Sequence, residues 1–114
     1  MIIENTGLEG LNSELSYMDA VMDKLGFVRW QWEYYRATYD HQIADPDGGT
    51  AYFLRVNTRV LEGKLESPNA ILTTEAVYLG KAVFPHGVDY NADIPNSVLQ
   101  IANKKLEQLQ KELS

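Results

Sequence analysis

The spacing of apolar residues changes at Gly26, and this change constrains the fold more than any other feature of the sequence. Before Gly26, apolar side chains recur at intervals of three and four residues, as they do on one face of an α-helix. They are Leu11, Leu15, Met18, Val21, Met22 and Leu25. After Gly26, apolar and polar residues alternate, which indicates β-strands with one buried face. The sequence therefore predicts helix and sheet in separate segments, as in an α+β fold.

The ends of the first helix carry their own signals. Asn12 or Ser13 is predicted to cap its first turn, because a short side-chain oxygen can accept hydrogen bonds from the free amides there. Gly26 is predicted to end the helix, since glycine adopts the left-handed conformation without a steric penalty. Residues 1–4, before the helix, are predicted to form a short strand.

The alternating segment contains one phase change and one turn signal. Between Tyr34 and Tyr35 the apolar positions slip by one residue, which predicts a β-bulge or a sharp bend. The sequence DPDGG at residues 45–49 predicts a hairpin turn, because proline and aspartate favour turns and glycine supplies positive φ. This hairpin would place Tyr39 opposite Val56. The strand after it is predicted to bury Tyr52, Leu54, Val56, Thr58 and Val60.

The rest of the chain predicts further strands and a second helix. After a turn at residues 62–68, residues 70–78 form a predicted strand. Gly80 is expected to break this strand, and residues 82–84 to add one more. The last helix is predicted to begin near Pro95, since proline is favoured in the first helical turn. Its apolar stripe consists of Val98, Ala102, Leu106, Leu109 and Leu113.

These elements define the expected architecture. Their order is strand, helix, about four antiparallel strands and helix. Two helices, each with one apolar face, would cover one face of a curved antiparallel sheet in a two-layer α+β domain. We expect one domain over residues 1–114, because a chain of this length can bury a core of its own. The other face of the sheet would meet water or a partner.

Two segments and the order of elements resemble the YugN-like family of small bacterial proteins. The segments are WEYYRATYD at residues 32–40 and PHGVDY at residues 85–90. The resemblance covers essentially the whole chain and implies a fold like that of the TATA-binding protein, a curved antiparallel sheet with a long C-terminal helix packed against it. It does not imply DNA binding. The family has no assigned activity, so the resemblance implies no catalytic residue.

Composition and missing motifs exclude several classes of function. The chain has 10 basic and 16 acidic residues, and a net charge of −6 disfavours nucleic acid as a partner. The absence of cysteine excludes thiol chemistry. No signal sequence or membrane-length apolar run is present, so we expect a cytoplasmic protein without a membrane partner. No phosphate loop or dinucleotide motif is found, and no cofactor or metal is expected.

The arginines are concentrated in one segment, between residues 29 and 59, and are expected on the outer, uncovered face of the sheet. They are Arg29, Arg36, Arg55 and Arg59. One interpretation is that they form cross-strand ion pairs. The acidic residues available are Glu33, Asp40, Glu62 and Glu75, with Asp40 near Arg55. A second interpretation is a site for a small anionic ligand, because Arg36 and Arg59 are predicted to lie opposite each other and guanidinium groups match carboxylates and phosphates. A third is a homodimer interface on this face.

The sequence PHGVDY places three candidate site residues in one loop: His86, Asp89 and Tyr90. Histidine titrates near neutral pH and a carboxylate can orient it, so these residues are candidates for acid–base chemistry. The alternative is a structural turn in which His86 or Asp89 bonds to backbone groups. Because no nucleophile motif accompanies the loop, no catalytic residue is assigned.

The other histidine and the aromatic residues are interpreted mainly as structural. His41 is predicted on the inner face as a hydrogen-bonded core residue, and a metal site that joins it to His86 lacks the usual ligand spacing. The aromatic run is predicted to fill the core under the helices. A stacking surface and a pocket against the last helix are the alternatives. The run consists of Trp30, Trp32, Tyr34, Tyr35 and Tyr39.

Three functional hypotheses follow. The first is a non-enzymatic interaction domain or scaffold that self-associates through the outer face of the sheet. The second is a small-ligand binding protein with an aromatic pocket and arginines as anchors for an anion. The third is a hydrolase or isomerase that uses His86 with Asp89 or Tyr90. The residues proposed to contact a ligand or partner are Arg36, Arg55, Arg59, His86, Asp89 and Tyr90.

Overall fold

The computed structural model describes residues 1–31, 33–83 and 87–114. Within these ranges the chain forms seven β-strands and two α-helices. In chain order they are β1 (Ile2–Ile3), β2 (Asn12–Glu14), α1 (Leu15–Lys24), β3 (Val28–Gln31), β4 (Arg36–Ala44), β5 (Ala51–Glu62), β6 (Ile71–Val83), β7 (Gly87–Asp89) and α2 (Asn96–Leu113). Neither helix in these ranges is long and apolar enough to cross a membrane.

The strands form one open antiparallel sheet. β3, β4, β5 and β6 lie side by side in chain order. The other edge of β6 pairs with three short strands, β2 near its start, β1 near its middle and β7 at its end. The predicted α+β fold class is therefore confirmed, and the sheet contains more strands than predicted.

The first helix begins later than its capping signal predicts. Asn12 and Ser13 belong to β2 and pair with β6, so the prediction that either caps the helix is wrong. The first amides of α1 find backbone acceptors instead, because Leu15 N–H donates to Ala70 O at 2.8 Å and Ser16 N–H to Pro68 O at 3.1 Å. Gly26 follows the helix with φ +87°, as predicted.

The segment after Gly26 is a hairpin of two strands. β3 and β4 are antiparallel partners, with Trp30 opposite Thr38. The predicted bulge or bend near Tyr34 and Tyr35 is thus a reversal of the chain, because the apolar phase restarts when a second strand begins. Trp32 lies outside the described residues.

The next hairpin matches the prediction residue by residue. Residues 45–49 connect β4 and β5, and Tyr39 lies opposite Val56, as predicted. The five residues predicted to face inward on β5 are all buried: Tyr52, Leu54, Val56, Thr58 and Val60. The face of the sheet that carries Tyr39 and Val56 is therefore the core face.

Gly80 does not break the strand, as the sequence predicted, because β6 continues through it to Val83. Gly80 is buried, and a Cβ atom there would lie 2.3 Å from Val88 Cγ1 and 2.9 Å from Asp89 O. The glycine therefore allows β7 and Tyr90, which follows it, to approach β6 closely. Of the strand predicted at residues 82–84, Val83 ends β6 and Phe84 lies outside the described residues.

The two helices pack on each other and on the core face of the sheet. α1 contacts β3 and β6, and α2 contacts β4. The predicted stripe of α2 is confirmed, with four residues buried and Leu113 packed against the core: Val98, Ala102, Leu106, Leu109 and Leu113. The opposite face of the sheet bears no helix among the described residues, and it is called the outer face below.

Candidate functional site

The outer face is defined by the strand residues that alternate with the buried ones. Its members on β3 to β6 include Val28, Trp30, Arg36, Thr38, Asp40, Gln42, Phe53, Arg55, Asn57, Arg59, Thr73, Glu75, Ala76, Tyr78 and Gly80. Three of the predicted site residues, Arg36, Arg55 and Arg59, lie on this face. Each has a carboxylate of the same chain within 3.5 Å.

Arg55 forms the most complete of these ion pairs, with Asp40 on the neighbouring strand. Arg55 Nε donates to Asp40 Oδ1 at 2.7 Å and Nη2 donates to Oδ2 at 2.8 Å. The hydrogen bonds with Asp40 are the main reason why the pKa of Arg55 is raised. The third nitrogen, Nη1, donates to the Tyr90 hydroxyl at 2.7 Å. The pair confirms the predicted proximity of Asp40 and Arg55 and fixes the guanidinium in one orientation.

Arg36 and Arg59 lie directly opposite each other on β4 and β5, as predicted. Glu75 contacts both, with its Oε1 3.5 Å from Arg36 Nη1 and its Oε2 3.5 Å from Arg59 Nε. Arg36 Nε also lies 3.4 Å from Glu33 Oε1. The anion that this like-charge contact requires is therefore supplied by the chain itself. Among the acidic partners predicted, Glu33, Asp40 and Glu75 are observed in ion pairs with arginine.

A β-bulge brings Glu75 to this position. Thr58 pairs with Thr74 and Asn57 pairs with Ala76, so Glu75 is the extra residue between two ladder pairs. A bulge redirects side chains in this way, so that both Glu75 and Ala76 lie on the outer face.

A shallow depression crosses the outer face between these two ion-pair groups, and we call it the trough. It has a volume of about 360 Å³ and is lined by Arg36, Thr38, Asn57, Thr58, Glu75, Ala76 and Tyr78. A second depression of about 220 Å³ shares Thr38, Asn57 and Tyr78 with it and extends to Arg55 and Tyr90. Short side chains form the floor, where Thr38 Oγ1 donates to Asn57 Oδ1 at 3.1 Å.

Tyr90 extends the wall of the trough, whereas Asp89 does not take part in it. The rings of Tyr78 and Tyr90 lie 5.5 Å apart between centroids, and Tyr90 reaches Arg55 over Gly80. Asp89 Oδ1 accepts a hydrogen bond of 2.9 Å from the Asn91 amide, which is the turn role considered as the alternative. His86 lies outside the described residues, so its acid–base role stays a prediction.

The fourth arginine lies on the other face. Arg29 is opposite Tyr39, a core residue, so the prediction that it projects from the outer face is wrong. Its Nη1 lies 3.2 Å from Asp19 Oδ2 on α1, and the Tyr39 hydroxyl donates to Asp19 Oδ1 at 2.8 Å. Burial is the main reason why the pKa of Tyr39 is raised, and the hydrogen bond to Asp19 raises it further. Sequence analysis missed Asp19, which ties α1 to the sheet.

The aromatic residues divide between the two faces. Tyr39 is buried as predicted, but Trp30, Tyr34 and Tyr35 are 51%, 50% and 49% exposed, so their assignment to the core is wrong. The reversal after β3 places Trp30 opposite Thr38, on the outer face.

His41 contacts the backbone and an aromatic ring. Its Nδ1 lies 2.9 Å from Gly26 O, and its ring centroid lies 5.3 Å from that of Phe27. The predicted hydrogen-bonded role is confirmed, at a half-buried position. The described part of the chain contains no group of three acidic or histidine side chains arranged to hold a metal ion, and a site with His86 falls outside it.

The fold and site describe a small α+β protein with an open antiparallel sheet and a polar, arginine-bearing outer face. The model of the YugN-like family matches residues 4–113, and the chain belongs to this family. It is similar to the uncharacterised protein YlbA of Bacillus subtilis, at 38% identity over 86 residues, which cover 75% of this chain and 70% of YlbA. The crystal structure of the uncharacterised conserved protein YugN from Geobacillus kaustophilus is also similar, at 38% identity and a TM-score of 0.84, over 99% of this chain and 94% of that one.

Proposed function

We propose that the chain is a non-enzymatic interaction domain that associates with a second copy of itself through the outer face. The observation that carries this proposal is the division of basic residues between the surfaces. All four arginines and six lysines are among the described residues. Three arginines lie on the outer face, and none of the lysines does. The lysines lie on the helices, in the turn after β5 and opposite buried Tyr52 on β6: Lys24, Lys64, Lys81, Lys104, Lys105 and Lys111.

This division is typical of a protein interface. Arginine, tyrosine and tryptophan are enriched in interfaces and lysine is depleted, because a planar guanidinium is desolvated more readily than an ammonium group. The outer face combines three arginines with half-exposed Trp30, with Tyr78 in the trough and with Tyr90 in the adjoining depression. Val28, 60% exposed, adds apolar surface at the edge of this face.

The ion pairs on the outer face support a small anionic ligand at this face less than they support a second copy of the chain. Such a ligand would have to displace Glu75 from Arg36 and Arg59, or Asp40 from Arg55. Asp40 is only 7% exposed and forms two short hydrogen bonds, so its displacement would be costly. The ligand-binding hypothesis therefore ranks second.

Light scattering after size-exclusion chromatography, over a series of protein concentrations, tests the proposal. We expect a dimer that dissociates on dilution. Val28→Glu should shift the equilibrium toward monomer, because it places a charge on the outer face. Ile101→Glu is the matched control, since Ile101 is an exposed apolar residue on α2. A wild-type protein that stays monomeric throughout, or a dimer disrupted only by Ile101→Glu, would overturn the proposal.

A further inference from the structure

Trp30 and the trough lie in one row across the outer face. Trp30 pairs with Thr38, Thr38 with Asn57, and Asn57 with Ala76 on successive strands. Adjacent strands are about 4.8 Å apart, so the tryptophan stands about 14 Å from Ala76 at the far end of the row. The row therefore carries a large, half-exposed side chain at one end and a floor of short side chains beyond it.

We propose that the outer faces of two copies pack so that Trp30 of each enters the trough of the other. This inference rests on the self-association proposed above and specifies its contact. Consider a two-fold axis that lies between the two faces and crosses the middle of the row at a right angle. This axis would bring each Trp30 over Ala76 and Tyr78 of the second copy. A large half-exposed side chain and a recess on the same face can be self-complementary under such an axis, which closes the assembly at two chains.

The charges of the outer face favour a second copy over a strongly charged partner. Three arginines on this face contact three carboxylates, Glu33, Asp40 and Glu75. The face is therefore locally neutral although the whole chain has a net charge of −6. Two such faces can approach without net repulsion, whereas a polyanion or a polycation would find no complementary field.

The size of the face also suits a dimer. The molecule measures 42 × 30 × 22 Å. Because the sheet is one of two stacked layers, we expect it to extend along the two longer dimensions. Stable interfaces bury about 800 Å² on each partner, which a face of this extent can supply. An aromatic side chain seated in a recess is the usual energetic focus of such an interface.

Two variants test this contact from opposite sides. Trp30→Ala removes the indole side chain, and Ala76→Leu fills the recess. We expect each to weaken dimerisation by at least about thirtyfold, the effect of losing a strong interface contact. Thermal unfolding should show that both variants fold, and Asn57→Leu replaces Ala76→Leu if that variant does not. Gln42→Ala is the control on an exposed residue of β4 outside the row.

Mixing the two variants gives the decisive result. Trp30→Ala keeps an intact trough and Ala76→Leu keeps the tryptophan, so a mixed dimer contains one complete contact while each homodimer contains none. We expect native mass spectrometry of a 1:1 mixture to show the mixed dimer in excess over both homodimers. A wild-type dimer that Trp30→Ala leaves intact, or a mixture without this preference, would overturn the present inference alone. A wild-type protein that never dimerises would overturn the proposed function and this inference together.

Discussion

Asp40 and Arg55 face each other across β4 and β5 and share two hydrogen bonds, of 2.7 and 2.8 Å. The carboxylate is buried, whereas about a third of the Arg55 side chain is exposed. Removing either partner would destabilise the folded state, because the other partner would keep its charge without an opposite charge beside it. Tyr90 joins the same guanidinium, so the pair also holds the chain after β7 against the sheet.

Asp40→Asn should therefore lower the free energy of unfolding by about 2 kcal/mol, less than for a fully buried pair because Arg55 reaches solvent. Urea unfolding monitored by circular dichroism measures this change. Asp93→Asn is the control, since Asp93 is an exposed residue of the loop before α2. A change for Asp40→Asn no larger than that of the control would show that the pair contributes little to stability.

Glu75→Gln should leave Arg36 and Arg59 opposed without a full negative charge between them. We expect a loss of about 0.5–1 kcal/mol at low ionic strength, since the groups are partly exposed and their contacts are long. The loss should shrink in 1 M salt, where the Debye length is about 3 Å. Glu107→Gln is the control, since Glu107 is an exposed residue of α2. A loss that does not depend on salt would point to packing rather than charge.

Gly80→Ala should destabilise the protein by about 1–3 kcal/mol, because the new methyl group would overlap Val88 and approach the backbone of Asp89. Val88→Ala removes the nearest atom, Cγ1. The double variant should therefore lose less stability than the sum of the two single variants. Chemical denaturation of all four proteins completes the cycle, and strict additivity would contradict the close approach.

Tyr39→Phe should change how stability depends on pH. The pKa of Tyr39 is raised in the folded chain, by burial first and then by Asp19, so the folded state retains its proton above pH about 10, where an unfolded tyrosine loses it. This stabilisation is fully present below pH about 10 and is lost as the pH rises, by about 1.4 kcal/mol per pH unit.

The wild type should accordingly exceed Tyr39→Phe in unfolding free energy by about 2 kcal/mol at neutral pH, because the phenol donates to a charged group. Urea unfolding of both proteins at pH about 8 and about 11 should show the difference narrowing at the higher pH. A difference that stays constant with pH would contradict the raised pKa.

The hairpin around residues 45–49 could be predicted in register because several local signals agree there. The turn residues define the reversal, and alternation on both strands gives the same pairing of Tyr39 with Val56. Pairings such as Asp40 with Arg55 and Arg36 with Arg59 follow from that register alone. These two arginine pairings of the candidate site were therefore predictable without any tertiary information.

The sequence does not predict on which face of the sheet Trp30 and Arg29 lie, because a one-residue slip in the apolar pattern has two possible causes. It indicates either a bulge within one strand or a reversal between two strands. The residues between β3 and β4 include no glycine, proline, asparagine or aspartate, so nothing marks the turn. Treating the segment as one strand with a bulge or a bend placed Arg29 on the wrong face and Trp30 in the core.

The roles of Gly80 and Asp19 depend on residues distant in sequence. A glycine in a strand either ends it or makes room for a neighbour, and the neighbours of Gly80 are Val88 and Tyr90. Asp19 lies on a helix whose periodicity is clear, but its partner Tyr39 lies twenty residues away on a strand. Such contacts depend on how a helix packs against a strand. The apolar periodicity of each element does not predict which of their side chains meet.

Two of the three short strands on the far edge of β6, β1 and β2, also have a consequence for how the chain folds. Ile2 pairs with Tyr78, more than seventy residues away, and Ser13 with Leu72. The hairpins from β3 to β6 need only local contacts, whereas closing these long loops costs entropy before any contact is gained. During synthesis, β1 and β2 leave the ribosome before β6 and have no partner until β6 has emerged. They should therefore dock late, onto a meander that has already formed.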